Sequence, residues 1–174
     1  MKYMAFVLVI PLLILWGVLN AYAGPNKANA ELNNSKGENI GIATLLDGTD
    51  GVLITINVWN LPPGLHGFHI HEVGKCEPPD FKTAGGHFNP YGRKHGFKNP
   101  EGPHSGDSHN LLVGPDGTAT QVILFPFVSL GDGTNSLFHQ GGAAIVIHAS
   151  TDDQITDPSG NSGARIACGI ISKY

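Results

Sequence analysis

The sequence of 174 residues has few charged side chains and only two cysteines. Charged residues make up 14% of the chain, against about a quarter in an average globular protein. Lysine and arginine together number 10, the formal net charge is −4, and the basic residues form no long run. We therefore expect no nucleic-acid partner, because such proteins carry a basic patch or stripe. The apolar fraction of 41% is enough for one folded domain.

A helical pattern is also missing from the chain after its first 23 residues. No stretch of ten or more residues there repeats apolar side chains at the spacing of an amphipathic helix. Instead, 24 glycines and 12 prolines divide the chain into short apolar segments. The sequence predicts strands at 40–46, 52–59, 65–71, 118–125, 143–148 and 165–171. Short strands separated by Gly and Pro turns favour an antiparallel sandwich or barrel.

The first 23 residues have the pattern of an export signal. Lys2 precedes an apolar run from Met4 to Leu19, and Ala21-Tyr22-Ala23 is an A-x-A cleavage pattern. An uncleaved anchor is the alternative, but the run is short for a membrane span of about 20 residues. We expect a cleaved signal peptide at 1–23, a mature domain at 24–174 and no stable membrane anchor. A second A-x-A pattern ends at Ala30.

Export places the two cysteines in an oxidising compartment. Cys76 and Cys168 are 92 positions apart and there most simply form one disulfide. Two buried free thiols are the alternative. A thiol titration distinguishes the two.

Histidine is unusually abundant: there are nine, and seven of them lie between His66 and His109. His69 and His71 are two positions apart on a predicted strand, so their side chains share one face. That pair could chelate a metal ion or could belong to a polar exposed face. His148 ends another apolar strand.

The 39 residues from Glu72 to Asn110 show no periodic pattern. A loop of this length in a compact domain is either disordered or functional and held in place. It carries three more histidines and a carboxylate, a donor set that suits zinc: His87, His95, His104 and Asp107. An all-histidine set on strands suits copper better. The seven donors fill two four-coordinate sites only if one is shared or one position stays open.

Several motifs together resemble the copper,zinc superoxide dismutases over nearly all of the mature chain. The matching segments are Gly64–His71, Gly86–Pro90, Lys94–Gly96, His104–Asp107, Val146–His148 and Gly163–Gly169. The resemblance implies an eight-stranded antiparallel Greek-key β-barrel, an immunoglobulin-like sandwich, with one copper and one zinc per subunit. It implies copper ligands at His69, His71, His87 and His148. It implies zinc ligands at His87, His95, His104 and Asp107, with His87 as the bridge.

The same resemblance implies roles for other residues. Arg165, three residues before Cys168, occupies the position of the substrate-guiding arginine, and His87 takes part in catalysis by carrying a proton. Asp152 corresponds to a carboxylate that joins a copper histidine to a zinc histidine. The early position of Cys76 and the short loop after His148 resemble the bacterial exported members, so the periplasm is the expected location, with secretion as the alternative. The resemblance also allows a homodimer.

The expected activity is the dismutation of superoxide to dioxygen and hydrogen peroxide by a copper redox cycle, with zinc in a structural role. Superoxide is then the small-molecule partner. The main alternative is an exported copper- and zinc-binding or buffering protein without turnover. A metallohydrolase is disfavoured because no carboxylate in the sequence is evidently placed as a general base beside an open zinc.

Overall fold

The computed structural model describes residues 26–174, so the expected signal peptide lies outside the described residues. The strands are β1 (Lys27–Asn34), β2 (Asn39–Gly48), β3 (Gly51–Val58), β4 (Gly64–His66), β5 (Phe68–His71), β6 (Leu111–Val113), β7 (Ala119–Phe125), β8 (Ala144–His148), β9 (Arg165–Ile170) and β10 (Ser172–Lys173). One short 3-10 helix spans Lys82–Ala84. No helix within residues 26–174 is long and apolar enough to cross a membrane.

The strands form a curled, entirely antiparallel sheet in the order β5-β8-β9-β1-β2-β3-β7, with β10 paired to β1. A second, two-stranded sheet pairs β4 with β6. Counting β4 and β5 as one bent strand and leaving out the two-residue β10 gives eight strands. The predicted all-β fold with eight antiparallel strands is confirmed.

Alternation of buried and exposed residues fixes the inner face of the sheet. In β3 every second residue is buried, and in β2 and β7 buried residues alternate with exposed ones over most of the strand, as expected for a sheet with one solvated face. The interior contains Phe68 and Phe125, whose ring centroids are 5.9 Å apart in an edge-to-face arrangement. In β5 and β8 every residue is buried, because the long loops cover the outer face of these two strands. This covered outer face carries His69 and His71.

The predicted strand 65–71 is interrupted at Gly67. The Gly67 amide donates to the Ser150 carbonyl, and the Gly67 carbonyl accepts from the His148 amide. A Cβ at this position would lie 2.7 Å from the Cβ of Ser162. The bend therefore needs glycine, and it brings the second long loop against the start of β5.

The segment 72–110 is irregular, as predicted, but it is tied down at several points. A disulfide joins Cys76 to Cys168 on β9. The Lys98 amide donates to the Gln154 carbonyl at 2.9 Å, which joins this segment to the loop 149–164. The two loops thus cover the β5–β8 face together.

Candidate metal centre

Four histidines meet on the outer face of β5 and β8. His69 and His71 project from alternate positions of β5, and His148 ends the neighbouring β8. His87 approaches from the long loop, where its backbone forms an isolated bridge with His71. One ring nitrogen of each lies within 4.8 Å of one from each of the others, and all four residues are buried.

In each ring of this first set, one nitrogen contacts a protein oxygen and the other is left for another partner. His69 Nε2 contacts Asp152 at 2.8 Å, His71 Nδ1 contacts the Gly85 carbonyl at 3.0 Å, and His148 Nδ1 contacts the Gly163 carbonyl at 3.2 Å. The remaining His69 Nδ1 and His87 Nε2 are buried without a hydrogen-bond partner.

The other two free nitrogens, Nε2 of His71 and Nε2 of His148, face one another at 3.4 Å. A metal-binding histidine usually donates its other N–H to a carbonyl or carboxylate. None of these four nitrogens contacts a carbonyl or carboxylate, so together they fit a bound copper ion.

The second set surrounds one oxygen of Asp107. Oδ1 lies 2.8 Å from His87 Nδ1, 3.0 Å from His95 Nδ1 and 3.3 Å from His104 Nδ1. Neighbouring donors of tetrahedral zinc, with bonds of about 2.0–2.1 Å, are about 3.3 Å apart. The other oxygen, Oδ2, accepts the amides of Gly96 and His104, which fixes the carboxylate. This set fits zinc.

His87 belongs to both sets. Its Nδ1 faces Asp107, whereas its Nε2 is unpaired and faces the first set. A neutral imidazole needs a proton on one of these nitrogens, but loss of that proton leaves two donor atoms on opposite sides of the ring. The arrangement therefore allows one side chain to serve two ions.

Asp152 connects the two sets from the loop 149–164. Its Oδ2 lies 2.8 Å from His69 Nε2 and its Oδ1 lies 3.0 Å from His95 Nε2, with all three side chains fully buried. Asp152 thus lies between a histidine of the first set and one of the second. The carboxylate orients both rings.

Burial shifts the pKa values of the first set downward. Desolvation lowers the pKa of His69 and of His148 to about 4, and that of His87 to about 3. Burial acts in the same direction on His95, but its hydrogen bonds with Asp107 and Asp152 outweigh burial and raise its pKa to about 9. Burial also lowers the pKa of His71. At neutral pH the first set is therefore uncharged, which is the form that coordinates metal.

Arg165 lies at the mouth of the centre. It lines a cavity of about 470 Å³ together with His71, His87 and His148. Its guanidinium donates to the carbonyls of Phe81 at 2.7 Å and of Gly85 at 2.6 Å. Because the Gly85 carbonyl also contacts His71 Nδ1, one carbonyl positions Arg165 relative to the first set.

Sequence reasoning assigned no role to several other residues of this mouth. Glu72, Asn89, Pro158 and Ser159 also line the cavity. Glu72 accepts the Gly86 amide at 3.0 Å, so it holds the turn before His87. Asn89 lies in the matching segment Gly86–Pro90, but nothing in composition or spacing singles out the other three, which only the path of the two loops brings to the mouth.

The other three histidines lie outside both sets. The His66 ring lies between the carbonyls of His148, at 2.7 Å, and Pro62, at 2.8 Å. His109 stacks on Phe97 and His139 stacks on Phe88. These three pack against neighbouring backbone and aromatic rings.

Comparisons with known proteins agree with this geometry. Residues 39–171 match the family model described as copper/zinc superoxide dismutase. The chain is 55% identical over 147 residues to a copper-zinc superoxide dismutase of Aquifex aeolicus, which covers 83% of this chain and 86% of that protein. The crystal structure of a superoxide dismutase-like protein from Bacillus subtilis matches with a TM-score of 0.80 at 43% identity, over 82% of this chain and 96% of that one.

A copper/zinc superoxide dismutase from Brucella abortus matches with a TM-score of 0.67 at 26% identity, over 84% of this chain and 99% of that one. The family match extends from β2 to the end of β9 and includes all seven donors. This chain belongs to the copper/zinc superoxide dismutase family.

Proposed function

We propose that the chain dismutes superoxide at a centre in which His87 is shared between copper and zinc. Copper is held by the first set, consisting of His69, His71, His87 and His148. Zinc is held by the second set, consisting of His87, His95, His104 and Asp107. The single observation that carries this proposal is the position of His87, with one ring nitrogen facing each set.

The donor set, rather than the family name alone, supports the activity of this chain. A relative at 44% identity is named only as superoxide dismutase-like. In the present chain all seven donors are buried and converge on two points. When bound, copper would supply the one-electron chemistry that oxidation of one superoxide and reduction of a second require, whereas zinc is not redox-active.

Arg165 attracts and orients the substrate in this proposal. The chain has a formal net charge of −4, so an anionic substrate is repelled at long range. The exposed part of the guanidinium provides local positive charge beside His71 and His148. Its two carbonyl contacts hold it at the mouth rather than in solvent.

His87 also delivers a proton. Two superoxide ions and two protons give one dioxygen and one hydrogen peroxide. Nε2 of His87 faces the first set, and His87 lines the cavity that Arg165 also lines, so a proton held on this nitrogen would be available to superoxide in the cavity. The other proton comes from solvent through the cavity.

Turnover distinguishes this activity from metal buffering. Protein loaded with one copper and one zinc should remove many equivalents of superoxide in a stopped-flow decay experiment. Zinc-only protein is the matched control and should leave the spontaneous decay unchanged. Consumption limited to one equivalent per copper would assign the chain to the buffering class.

We infer export to the periplasm, with the leader ending before β1. Ala28 and Ala30 of β1 are both in the core, so cleavage after Ala30 would remove half of a paired strand. Cleavage after Ala23 leaves β1 whole. N-terminal sequencing of protein from the periplasmic fraction should begin at Gly24; a start at Glu31, or retention in the membrane fraction, contradicts the inference.

We infer a homodimer through the outer face of β2, β3 and β7. Nine outward residues form three cross-strand rows, and none is charged: Ile42, Thr44, Leu46, Leu53, Thr55, Asn57, Thr120, Val122 and Leu124. Charged residues are depleted in interface cores. Two copies of a negatively charged chain repel least where each presents a neutral surface, so the occupant we assign is a second copy.

Analytical ultracentrifugation tests this interface. Wild-type protein should sediment as a dimer and Val122→Lys as a monomer, because a lysine at this position places an unpaired charge in a neutral interface. Glu38→Lys, in the β1–β2 turn, is a charge-changed control that should remain dimeric. A monomeric wild type contradicts the interface.

A further inference from the structure

A second carboxylate from the loop 149–164 reaches the zinc set. Oδ1 of Asp157 accepts the backbone amide of His95 at 2.8 Å and lies 3.8 Å from Nε2 of His104. Oδ2 of Asp157 pairs with Lys94 Nζ at 3.3 Å. Asp157 therefore contacts the backbone of one zinc-set histidine and approaches the ring of another.

His104 is the zinc-set histidine whose second nitrogen still needs an acceptor. The second nitrogen of His87 faces the copper set, and that of His95 contacts Asp152. Within residues 26–174, Asp157 is the only carboxylate within 4.0 Å of His104 Nε2. Coordination at Nδ1 leaves the proton on Nε2 and makes this N–H a stronger donor, which favours a carboxylate partner.

We propose that Asp157 is a positioning residue for zinc, which accepts the N–H of His104 and holds the backbone of His95. This inference rests on the zinc assignment made above and adds a residue to it. The two atoms are 3.8 Å apart, a gap that a small side-chain rotation or one bridging water would close. Asp157 then orients the ring of His104, as Asp152 orients the ring of His95.

The same contact links zinc to the mouth of the centre. The two residues that follow Asp157, Pro158 and Ser159, line the cavity with Arg165. Nearby, the Lys98 amide donates to the Gln154 carbonyl and Asn99 Nδ2 donates to the Ile155 carbonyl at 3.3 Å. Zinc binding should therefore order the rim of the mouth as well as the zinc loop.

Zinc affinity and cobalt spectra test the proposal. Removal of a partner that orients a metal ligand typically costs 10–100-fold in affinity. In competition with a chromogenic chelator, Asp157→Ala should bind zinc at least about tenfold more weakly than wild type. Asp157→Asn keeps an acceptor oxygen of the same shape, so it should fall between the two. With Co²⁺ in the zinc site, the visible spectrum of Asp157→Ala should differ from that of wild type.

Lys94→Gln is the matched control, because it removes the ion pair but keeps the carboxylate. It should bind zinc as wild type does, with the same cobalt spectrum. Hydrogen exchange should show residues 158–163 protected by zinc in wild type and Lys94→Gln, but not in Asp157→Ala. If Asp157→Ala folds poorly, Asp157→Asn provides the same readouts.

Different experimental results would overturn this inference and the zinc assignment. Wild-type affinity and an unchanged cobalt spectrum in both Asp157 variants overturn the role of Asp157, provided that Asp107→Ala abolishes zinc binding. An equal loss in Lys94→Gln would also overturn it, since the ion pair would then be the cause. Failure of wild-type protein to bind zinc would overturn the assignment itself.

Discussion

At the scale of the residue, His87 determines how seven side chains can serve two four-coordinate ions. Its backbone bridges to His71 at the end of β5, which brings the loop against the barrel. Its ring packs against that of His69 at a tilt of 31°, with centroids 4.0 Å apart, while Nδ1 contacts Asp107. Backbone pairing, ring packing and a carboxylate therefore fix the orientation on which sharing depends.

Replacement of His148 tests the copper set alone, because His148 does not belong to the zinc set. His148→Ala should lose copper and activity, because the nitrogen at the end of β8 is removed from a four-donor site. Zinc should remain at one per chain, since His148 is not in the zinc set. Metal analysis together with a superoxide assay checks both expectations.

Asp107→Ala is the reciprocal variant. It should lose zinc, because Asp107 contacts all three imidazoles of the zinc set. Full activity in His148→Ala, or normal zinc in Asp107→Ala, would show that the corresponding donor is wrongly assigned.

Arg165 should control the rate without controlling copper content. Arg165→Glu places a negative charge where the substrate anion must pass, and we expect the rate to fall by about tenfold or more. In wild type, added salt should slow the reaction by screening the positive charge. Arg165→Gln should lie between the two; unchanged rates in both variants, with a salt-independent wild type, would exclude electrostatic guidance.

The sequence could predict individual donors but not all of their neighbours. The i and i+2 positions of His69 and His71 on a strand were sufficient to place both rings on one face. The His87 ring could not be oriented from spacing, because its position depends on a bridge to β5 and on a carboxylate 20 residues later. Asp157 has no distinguishing spacing, and only loop packing brings it to His95.

At the scale of the element, β1 shows where prediction from hydrophobicity fails. The sequence of β1 alternates, but Ala28 and Ala30 are small and are flanked by polar residues, so the pattern is weak. Only Leu32 adds a large apolar side chain to the core. Pairing with β2 over most of its length defines this strand, and that long-range contact is absent from any local window.

The disulfide should stabilise the first long loop most when metals are absent. It joins Cys76 in that loop to Cys168 on β9, 92 positions away. In the chain-entropy model, closing a loop of this length stabilises the fold by about 4–5 kcal/mol. Cys76→Ser/Cys168→Ser should therefore melt at a lower temperature, with the larger loss in metal-free protein.

The position of Arg165 gives the disulfide a second readout. Cys168 lies three residues after Arg165, and the loop held by Cys76 provides the Phe81 and Gly85 carbonyls that Arg165 contacts. Hydrogen exchange of residues 77–86 should increase in the double variant. Equal melting temperatures and equal exchange in the two proteins would show that the disulfide does not anchor this loop.

At the scale of the whole molecule, the apolar core and the metal centre occupy different parts of the fold. The barrel interior is apolar, whereas the ionisable side chains of the centre lie outside it, beneath the two loops. Desolvation there keeps His69, His87 and His148 neutral, with pKa values of about 4, 3 and 4. The unfolded chain has no such burial, so metal-free stability depends on pH.

Metal-free protein should lose stability on mild acidification. These three histidines have folded-state pKa values below the unfolded value of about 6.5. Their contribution is therefore complete above pH 6.5 and is lost as the pH falls towards 4 and 3. Burial also lowers the pKa of His71, so unfolding takes up a proton at each of these buried histidines and the free energy of unfolding decreases as the pH falls.

Urea denaturation of metal-free protein at pH 7.0 and 5.0 measures this change. The midpoint should be clearly lower at pH 5.0. His69→Gln should show a smaller dependence, because it removes one of the titrating histidines. Equal midpoints at the two pH values would show that the centre is not buried as described.

Electron paramagnetic resonance of the copper signal tests the shared imidazole most directly. Protein with copper in the first set and Co²⁺ in place of zinc should be compared with the copper–zinc protein. An imidazolate of His87 that binds both ions couples their unpaired electrons, so the copper signal should be lost or strongly weakened in the copper–cobalt protein only. A full copper signal, with both metals present at one per chain, would contradict the account.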